Sequence, residues 1–243
     1  MSKVIFITGA SSGIGESLAK KAVLKGHKVI LVARRKEQLE KLVQQLGHKH
    51  AVAVTMDVTN VEDVTSAVDI AVKKFNKIDV VVNNAGIMPL SPWAEKRYSE
   101  WIQTVDVNIN GILNVIYSTL DALQVTKGHI INISSVAGHN VYDNTGVYCA
   151  SKHAVRIISE SLRKEFAGTL RVTNISPGVV ATELVHSIQN EQIKSDFIEG
   201  KGIGDSFTPL QSEDIAAAIL FAIDCDDNIG INEIIIRPKG QII

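Results

Sequence analysis

The chain has 243 residues, 45% of them hydrophobic and 5% aromatic, and its 25 Lys plus Arg against 26 Asp plus Glu leave a formal net charge of -1. That balance argues against a protein built to grip nucleic-acid phosphates, which needs a clustered excess of cations, and the high Val, Ile and Leu content argues against disorder. No apolar run approaches the ~20 residues of a bilayer-crossing helix, so the expectation is a soluble globular protein with a sizeable core and no membrane partner.

From Met1-Ser2-Lys3 the chain passes directly into Val4–Thr8, an apolar run of strand length rather than signal length, and a cytoplasmic location is expected. The run leads into Thr8-Gly9-Ala10-Ser11-Ser12-Gly13-Ile14-Gly15, after which Glu16–Leu24 has helical patterning. Glycines at a strand-to-helix turn let the backbone approach a bulky anion without interference from a Cβ. The free N–H groups and positive end of the following helix then face a pyrophosphate, so the turn predicts a dinucleotide.

The second strand, Lys28–Val32, tests which dinucleotide. An acidic residue about 20 positions past the glycines would accept the ribose 2′-hydroxyl of NAD, whereas an arginine accommodates a 2′-phosphate. Here the strand ends in Ala33-Arg34-Arg35-Lys36, with no carboxylate until Glu37. A guanidinium can grip a phosphate with paired hydrogen bonds, and cations are otherwise poorly placed at the start of the helix Lys36–Leu46. The reading is NADP(H), with Arg34 the first contact and Arg35 the second.

Strands are predicted next at Val52–Met56, Asp79–Val82, His129–Ile133, Arg171–Ile175 and Glu233–Ile236, with helices at Val61–Phe75 and Val147–Phe166. Trp93 to Asp121 is long enough for a helix or two and carries Asn108 and Asn110 among apolar residues. Near-continuous apolar strands suit burial on both faces, and parallel neighbours need crossover helices. The fold class is therefore α/β: a Rossmann-like, doubly wound parallel sheet of about seven strands flanked by helices.

No linker or repeat divides the sequence, so residues 1–243 read as a single domain. Val179–Leu210 shows no strand and carries Gly200, Gly202, Gly204 and Pro209 near its end. Its apolar Leu184, Ile188, Ile193, Phe197 and Ile198 predict a substrate lid or insert over 179–210. Cys149 and Cys225 read as buried thiols rather than a disulfide framework, and the seven histidines show no ligand spacing, so no metal is expected.

Tyr148 and Lys152 stand four apart on the Val147–Phe166 helix, which stacks them on one face. A phenol near its ordinary pKa of ~10 is a poor base at neutral pH. A cation ~4 Å away at an effective dielectric of ~20 favours the phenolate by about 4 kcal/mol, or roughly three pKa units. On spacing alone the pair is an ordinary surface pair; its position after a strand ending in Ser134-Ser135 turns it toward acid–base catalysis.

Thr8-Gly9-xxx-Gly13-x-Gly15, Asn83-Asn84-Ala85-Gly86, Ser135, Tyr148-xxx-Lys152 and Pro177-Gly178-xxx-Thr182, in that order, resemble the short-chain dehydrogenase/reductase family. The resemblance spans Val4 to about Thr182 in motifs. It implies an NADP-dependent oxidoreductase in which Tyr148 gives a proton to a carbonyl oxygen or takes one from an alcohol. Lys152 would lower the phenol's pKa and hold the nicotinamide ribose, and Ser135 would hydrogen-bond the substrate oxygen. Asn108 would steady a helix break and a water reaching Lys152. Ser134 fits the substrate-oxygen role less well.

The resemblance also implies that Gly9, Ser11, Ser12 and Ile14, with Gly13 and Gly15 of the same motif, frame the phosphates. Asp57 and Val58 would meet adenine; Asn84, Ala85 and Gly86 would line the ribose. Pro177, Gly178, Val180 and Thr182 would contact the nicotinamide and its carboxamide.

The expected substrate walls are Met88, Pro89, Leu90, Val136, Asn140, Tyr142, Val179 and Leu184, mostly apolar, which suits a small or medium carbonyl compound or secondary alcohol. None of these wall segments holds an arginine to clamp a carboxylate, though His139, His186, Lys194 or Lys201 could hold one loosely. The Asn83–Leu90 and Ser135–Lys152 stretches are most similar to bacterial family members described as NADP-dependent hydroxy-acid or alcohol dehydrogenases. The resemblance further implies a homodimer or homotetramer, with Tyr98–Leu123, Val147–Phe166 and the Asn232–Arg237 strand as candidate contacts. The competing reading is an NADPH-sensing regulatory protein without turnover, which would not need Asn108, Ser135, Tyr148 and Lys152 together. A methyltransferase would not need Arg34 and Arg35, since its nucleoside carries no 2′-phosphate.

Overall fold

A computed structural model of the protein describes residues 2–200 and 207–242. In chain order the larger elements are β1 (Val4–Thr8), α1 (Gly13–Leu24), β2 (Lys28–Ala33), α2 (Lys36–Leu46), β3 (Ala51–Thr55), α3 (Val61–Phe75) and β4 (Val80–Asn83). There follow α4 (Tyr98–Val105), α5 (Gly111–Thr126), β5 (His129–Ile133), α6 (Gly146–Glu165), β6 (Arg171–Pro177) and β7 (Val180–Ala181). The chain closes with α7 (Glu191–Ile198), β8 (Leu210–Gln211), α8 (Ser212–Asp224) and β9 (Glu233–Ile236).

Seven strands form one sheet in the order β3-β2-β1-β4-β5-β6-β9, every pairing parallel. Successive strand residues face opposite sides, and here both sides are apolar. Ile5, Ile7, Val29, Leu31, Val80 and Val82 pack with residues of α1, α2 and α8. Val4, Phe6, Ile30, Val32 and Val81 pack with α3 and α5 and with Leu162 of α6. Burial on both faces explains why the strands read as continuous apolar runs rather than alternating ones. Helix ends carry their own stop and start signals: Asn60 caps α3 by accepting from the Asp63 N–H at 2.9 Å, and Asn76, left-handed at φ 63°, ends it.

The expectation that Val179–Leu210 contains no strand is overturned. β7 and β8 pair in parallel as a separate two-stranded sheet at the two ends of that insert, extended by a bond from the Leu210 N–H to the Val179 carbonyl at 3.0 Å. Strands of two residues are too short for side-chain periodicity to reveal. The predicted Gly202, Gly204 and Lys201 of the insert lie outside the described residues. The Trp93–Asp121 stretch resolves into a 3-10 turn at Trp93–Glu95, α4, a π-helical turn at Asp106–Asn110 and α5.

β1 and β4 are neighbours in the sheet but not in sequence. The chain leaves them toward opposite faces, which opens a crevice at their carboxyl ends. One buried hydroxyl fastens that point: Thr8 Oγ1 accepts from the Asn84 and Ala85 N–H groups, both at 2.9 Å, and donates to the Val82 carbonyl at 3.3 Å. Asn84 Nδ2 returns the contact to the Thr8 carbonyl at 2.9 Å. Gly9 follows in the left-handed region at φ +65°, where a Cβ would also stand 2.9 Å from Asn84 Nδ2. A Thr8→Val substitution keeps the shape and strands two backbone donors, so it should destabilise the fold by about 2–4 kcal/mol in urea unfolding. A loss below about 0.5 kcal/mol, the level of an ordinary surface substitution, would contradict this account of the crevice.

Candidate active site

The crevice widens into a cleft of about 1130 Å³ that runs across the carboxyl ends of the central strands. At one end stand Gly9, Ser11, Ser12, Gly13, Ile14, Arg34, Arg35, Asp57 and Val58; at the other stand Ser135, Tyr148 and Lys152. Asn84, Ala85 and Gly86 lie between, with Pro177, Gly178, Val180 and Thr182 along the β6–β7 edge. Thus nearly all the residues singled out in sequence line one space, although they come from positions 9 to 182.

Gly15 and Asn108 stand behind the wall. A Cβ on Gly15 would lie 2.5 Å from the Gly9 carbonyl, so the residue lets α1 pack onto its own entry loop. Asn108 is buried in the π-helical turn between α4 and α5. Its Oδ1 accepts from the Ile87 N–H at 2.9 Å, and its Nδ2 donates to the Ile87 carbonyl at 2.9 Å and to Ser151 Oγ at 3.1 Å.

The glycine-loop end offers donors to an anion. Ser12 precedes α1 in an extended conformation (φ -168°) and its side chain makes no capping hydrogen bond, which leaves the first helical N–H groups for another acceptor. The Arg35 guanidinium crosses the same loop: its Nε donates to Ser11 Oγ at 3.0 Å, Nη2 donates to Ser12 Oγ, and Nη1 pairs with Glu183 at 2.8 Å. Arg34 is exposed on the cleft rim and makes no ion pair among the described residues. Asp57 follows β3 with its carboxylate turned back on Thr59, accepting from that residue's N–H and hydroxyl at 2.9 and 2.8 Å.

At the far end α6 presents Tyr148 and Lys152, both buried. Lys152 Nζ donates to the Ile133 carbonyl at 2.9 Å and lies 5.8 Å from the centre of the Tyr148 ring. Ser135 Oγ accepts from the Ala137 N–H at 3.1 Å and makes a long 3.4 Å contact to the Pro177 carbonyl. Ser134 is instead engaged with the Lys152 carbonyl at 2.8 Å.

The electrostatics correct one expectation. The phenol is not lowered by its cationic neighbour: burial pushes Tyr148 up to about 12, with a hydrogen bond from Ser135 acting the other way. Burial also brings Lys152 down to about 8. The reason is geometric, since the ammonium is directed at a backbone carbonyl rather than the phenol oxygen and both groups have lost their water.

Beyond Tyr148 the cleft is lined by Met88, Leu90, Val136, Tyr142, Val179 and Leu184, with Ile193 and Phe197 of α7 added. Pro89 and Asn140 do not reach the wall. Of the possible carboxylate holders, His186 lines the cleft. His139 is turned onto Ser176 and Glu233, and Lys194 lies 3.6 Å from Glu191. Among the described residues no cluster of His, Cys, Asp and Glu could hold a metal, and no helix is long and apolar enough to cross a membrane.

Among the wall residues that the sequence does not point to, Gln241 and Glu183 make the clearest contacts. Gln241 accepts from the Val179 N–H at 3.0 Å and closes the cleft from the C-terminal end, and Glu183 holds Arg35. Neither sits in a motif; only the position of Glu183, directly after Thr182, offered a signal.

The family model for short chain dehydrogenase matches residues 3–193. An oxidoreductase of Staphylococcus saprophyticus of undescribed specificity is 42% identical, the match covering 98% of this chain and 97% of that protein. Among solved structures, an alcohol dehydrogenase from the archaeon Thermococcus sibiricus complexed with 5-hydroxy-NADP superposes with a TM-score of 0.87 at 26% identity, covering 99% of this chain and 98% of that one. A 3-ketoacyl-(acyl-carrier-protein) reductase from Brucella melitensis complexed with NADH gives 0.84 at 28% identity, covering 96% of each chain.

The depressed lysine has a thermodynamic signature. The folded chain releases the Lys152 proton near pH 8, whereas the unfolded chain keeps it to the ordinary 10.5. The folded state therefore carries the full cost of the buried charge below about pH 8 and sheds it as pH rises to 10.5. Urea unfolding should show wild type gaining stability relative to Lys152→Met between pH 8 and 10, with Tyr148 cancelling from the comparison. A difference that does not change with pH would contradict the burial of the ammonium.

Proposed function

The chain belongs to the short chain dehydrogenase family, and on that premise we propose that it is an NADP(H)-dependent oxidoreductase. Its substrates are a small or medium carbonyl compound and the matching secondary alcohol, hydroxy acids included. The observation that carries the reading is a single cleft with an uncapped helix start and two arginines at one end and Ser135, Tyr148 and Lys152 at the other.

The residues fit the dinucleotide. Gly9, Ser11, Ser12, Gly13 and Ile14 receive the phosphates, Arg34 and Arg35 the 2′-phosphate, and Asp57 and Val58 the adenine. Asn84, Ala85 and Gly86 follow the ribose, with Gly15 allowing the close approach of α1. Pro177, Gly178, Val180 and Thr182 hold the nicotinamide end, whose chemistry when bound is hydride transfer.

The chain's own part is the proton. In reduction the Tyr148 hydroxyl gives its proton to the carbonyl oxygen; in oxidation the phenolate takes it from the alcohol. Ser135, whose bond to Pro177 is long at 3.4 Å and readily exchanged, donates to the same oxygen and stabilises its developing charge. Lys152 holds the ribose hydroxyls. Asn108 keeps the π-helical turn and the Ile87 backbone in place behind Lys152.

The archaeal neighbour's complex with an NADP derivative supports a phosphorylated cofactor, and the NADH complex of the other shows that fold alone does not choose between them; the choice here rests on Arg34. Residues 1–243 act as one domain, with the 179–210 insert as substrate lid. Exposed Tyr98, Ile102, Leu113 and Tyr117 on α4 and α5 support a homodimer or homotetramer, and a cytoplasmic location suits the cofactor.

A panel of carbonyl compounds and alcohols, read by NADPH absorbance with both cofactors, tests the reading. Tyr148→Phe should lower turnover by about 10²–10⁴-fold while NADPH still binds; normal turnover would refute the assignment. Arg34→Asp should abolish a preference for NADPH over NADH, and a wild type indifferent to the two would refute the charge argument. Since the phenol sits at about 12, it is loaded for reduction at neutral pH, whereas oxidation needs its minor ionised form. Alcohol oxidation should therefore rise from pH 7 to 9 and reduction should not; an oxidation rate that is flat or falls over that range would contradict the roles given to Tyr148.

A further inference from the structure

The hydroxyls that would receive a phosphate at the glycine loop are already occupied by a group of the chain itself. Arg35, just before α2, reaches over Ser11 and Ser12, and its remaining arm pairs at 2.8 Å with Glu183. Glu183 is the first residue of the 3-10 turn Glu183–Ser187, at the root of the insert, and the residue before it, Thr182, stands against Gly13 of the loop. The guanidinium thus bridges the cofactor end of the cleft to the insert. Both side chains are accessible, Arg35 at 42% and Glu183 at 56%, so the pair can open at little cost.

A carboxylate and a phosphate ask for the same donors. Glu183 takes an N–H of one arm while the Nε and Nη2 edge is engaged by Ser11 and Ser12, so a 2′-phosphate must draw the guanidinium off these partners, and a carboxylate left beside that phosphate repels it. Its neighbours hold the Glu183 carboxyl below the usual range, Arg35 foremost and Ser12 second, so it stays charged at neutral pH. Resting on the NADP(H) reading above, we propose that Glu183 is a specificity-determining residue, an internal competitor that holds Arg35 over Ser11 and Ser12 until a 2′-phosphate takes the guanidinium from it. The carboxylate therefore weakens NADPH binding and leaves NADH, which has no such phosphate, nearly untouched.

The competitor also joins the cofactor to the substrate wall. Ser187, at the other end of the same turn, accepts from the Met88 N–H at 2.8 Å, and Met88 lines the substrate side. Release of Glu183 frees the root of a segment whose far end buttresses that wall.

Calorimetric titration of NADPH and NADH into wild type, Glu183→Gln, Arg35→Gln and the double variant tests the proposal without needing a substrate. Glu183→Gln should lower the Kd for NADPH by about two- to fivefold, the range of an exposed ion pair that no longer has to be broken, and should change the Kd for NADH by less than about twofold. In the Arg35→Gln background the gain should shrink, because the two side chains act as one unit. NADPH affinity that is unchanged or weaker in Glu183→Gln overturns the proposal. Equal tightening toward both nucleotides, or an undiminished gain without the guanidinium, overturns it as well. In those cases wild type still binds NADPH and the functional reading stands; a wild type that binds neither nucleotide overturns both.

Discussion

An ammonium taken out of water needs a fixed dipole to meet it, and Lys152 finds one in the carbonyl of Ile133, 2.9 Å away at the last residue of β5. That bond ties α6 to the carboxyl edge of the sheet. One turn earlier on the helix Tyr148 is brought into the same dry space. Ser134 makes a second tie, from the β5 end to the Lys152 carbonyl at 2.8 Å. Desolvation drives the two titrating groups apart, with the phenol up at about 12 and the amine down at about 8. The hydroxyl is thereby kept as a proton donor, and the lysine's charge becomes sensitive to anything that enters the cleft.

A parallel sheet makes such a site possible because all its strands end on one side. β1 contributes the glycine loop, β2 the two arginines and β3 Asp57. β4 contributes Asn84 to Gly86, β5 Ser135, and β6 the Pro177 to Thr182 edge. Register does the spacing: Asn83 lies opposite Asn132, and Ile133 opposite Ile175. A slip of one residue would turn each of these side chains to the other face. The Thr8 hydroxyl, bonded to three backbone groups of β4 and its end, locks the pair of strands where the chain changes direction.

The sheet and the cleft residues were legible because their signals are local. Burial on both faces writes itself as continuous apolar runs such as Val29–Val32, and the loop Gly9–Gly15 lies within a few residues of the strand and helix it joins. Tyr148 and Lys152 follow helical spacing. What could not be read depends on distant partners. Glu183 meets Arg35 across 148 positions, and Gln241 meets Val179 across 62. The direction of the Tyr148 shift is not readable from spacing, which gives the separation of two side chains but not their solvation or where the ammonium points. β7 and β8 are each two residues long, and they exist only because the insert's ends return to each other.

The central claim is that burial keeps the Tyr148 phenol protonated through neutral pH. A pH titration of the chain labelled with 13C at the tyrosine Cζ, with Tyr148→Phe assigning the resonance, tests it directly. The account predicts a Tyr148 signal that stays at its phenol position to pH 10 or above. An ionisation step near pH 7 or 8 would show instead that the ammonium's charge, rather than lost solvation, governs the site.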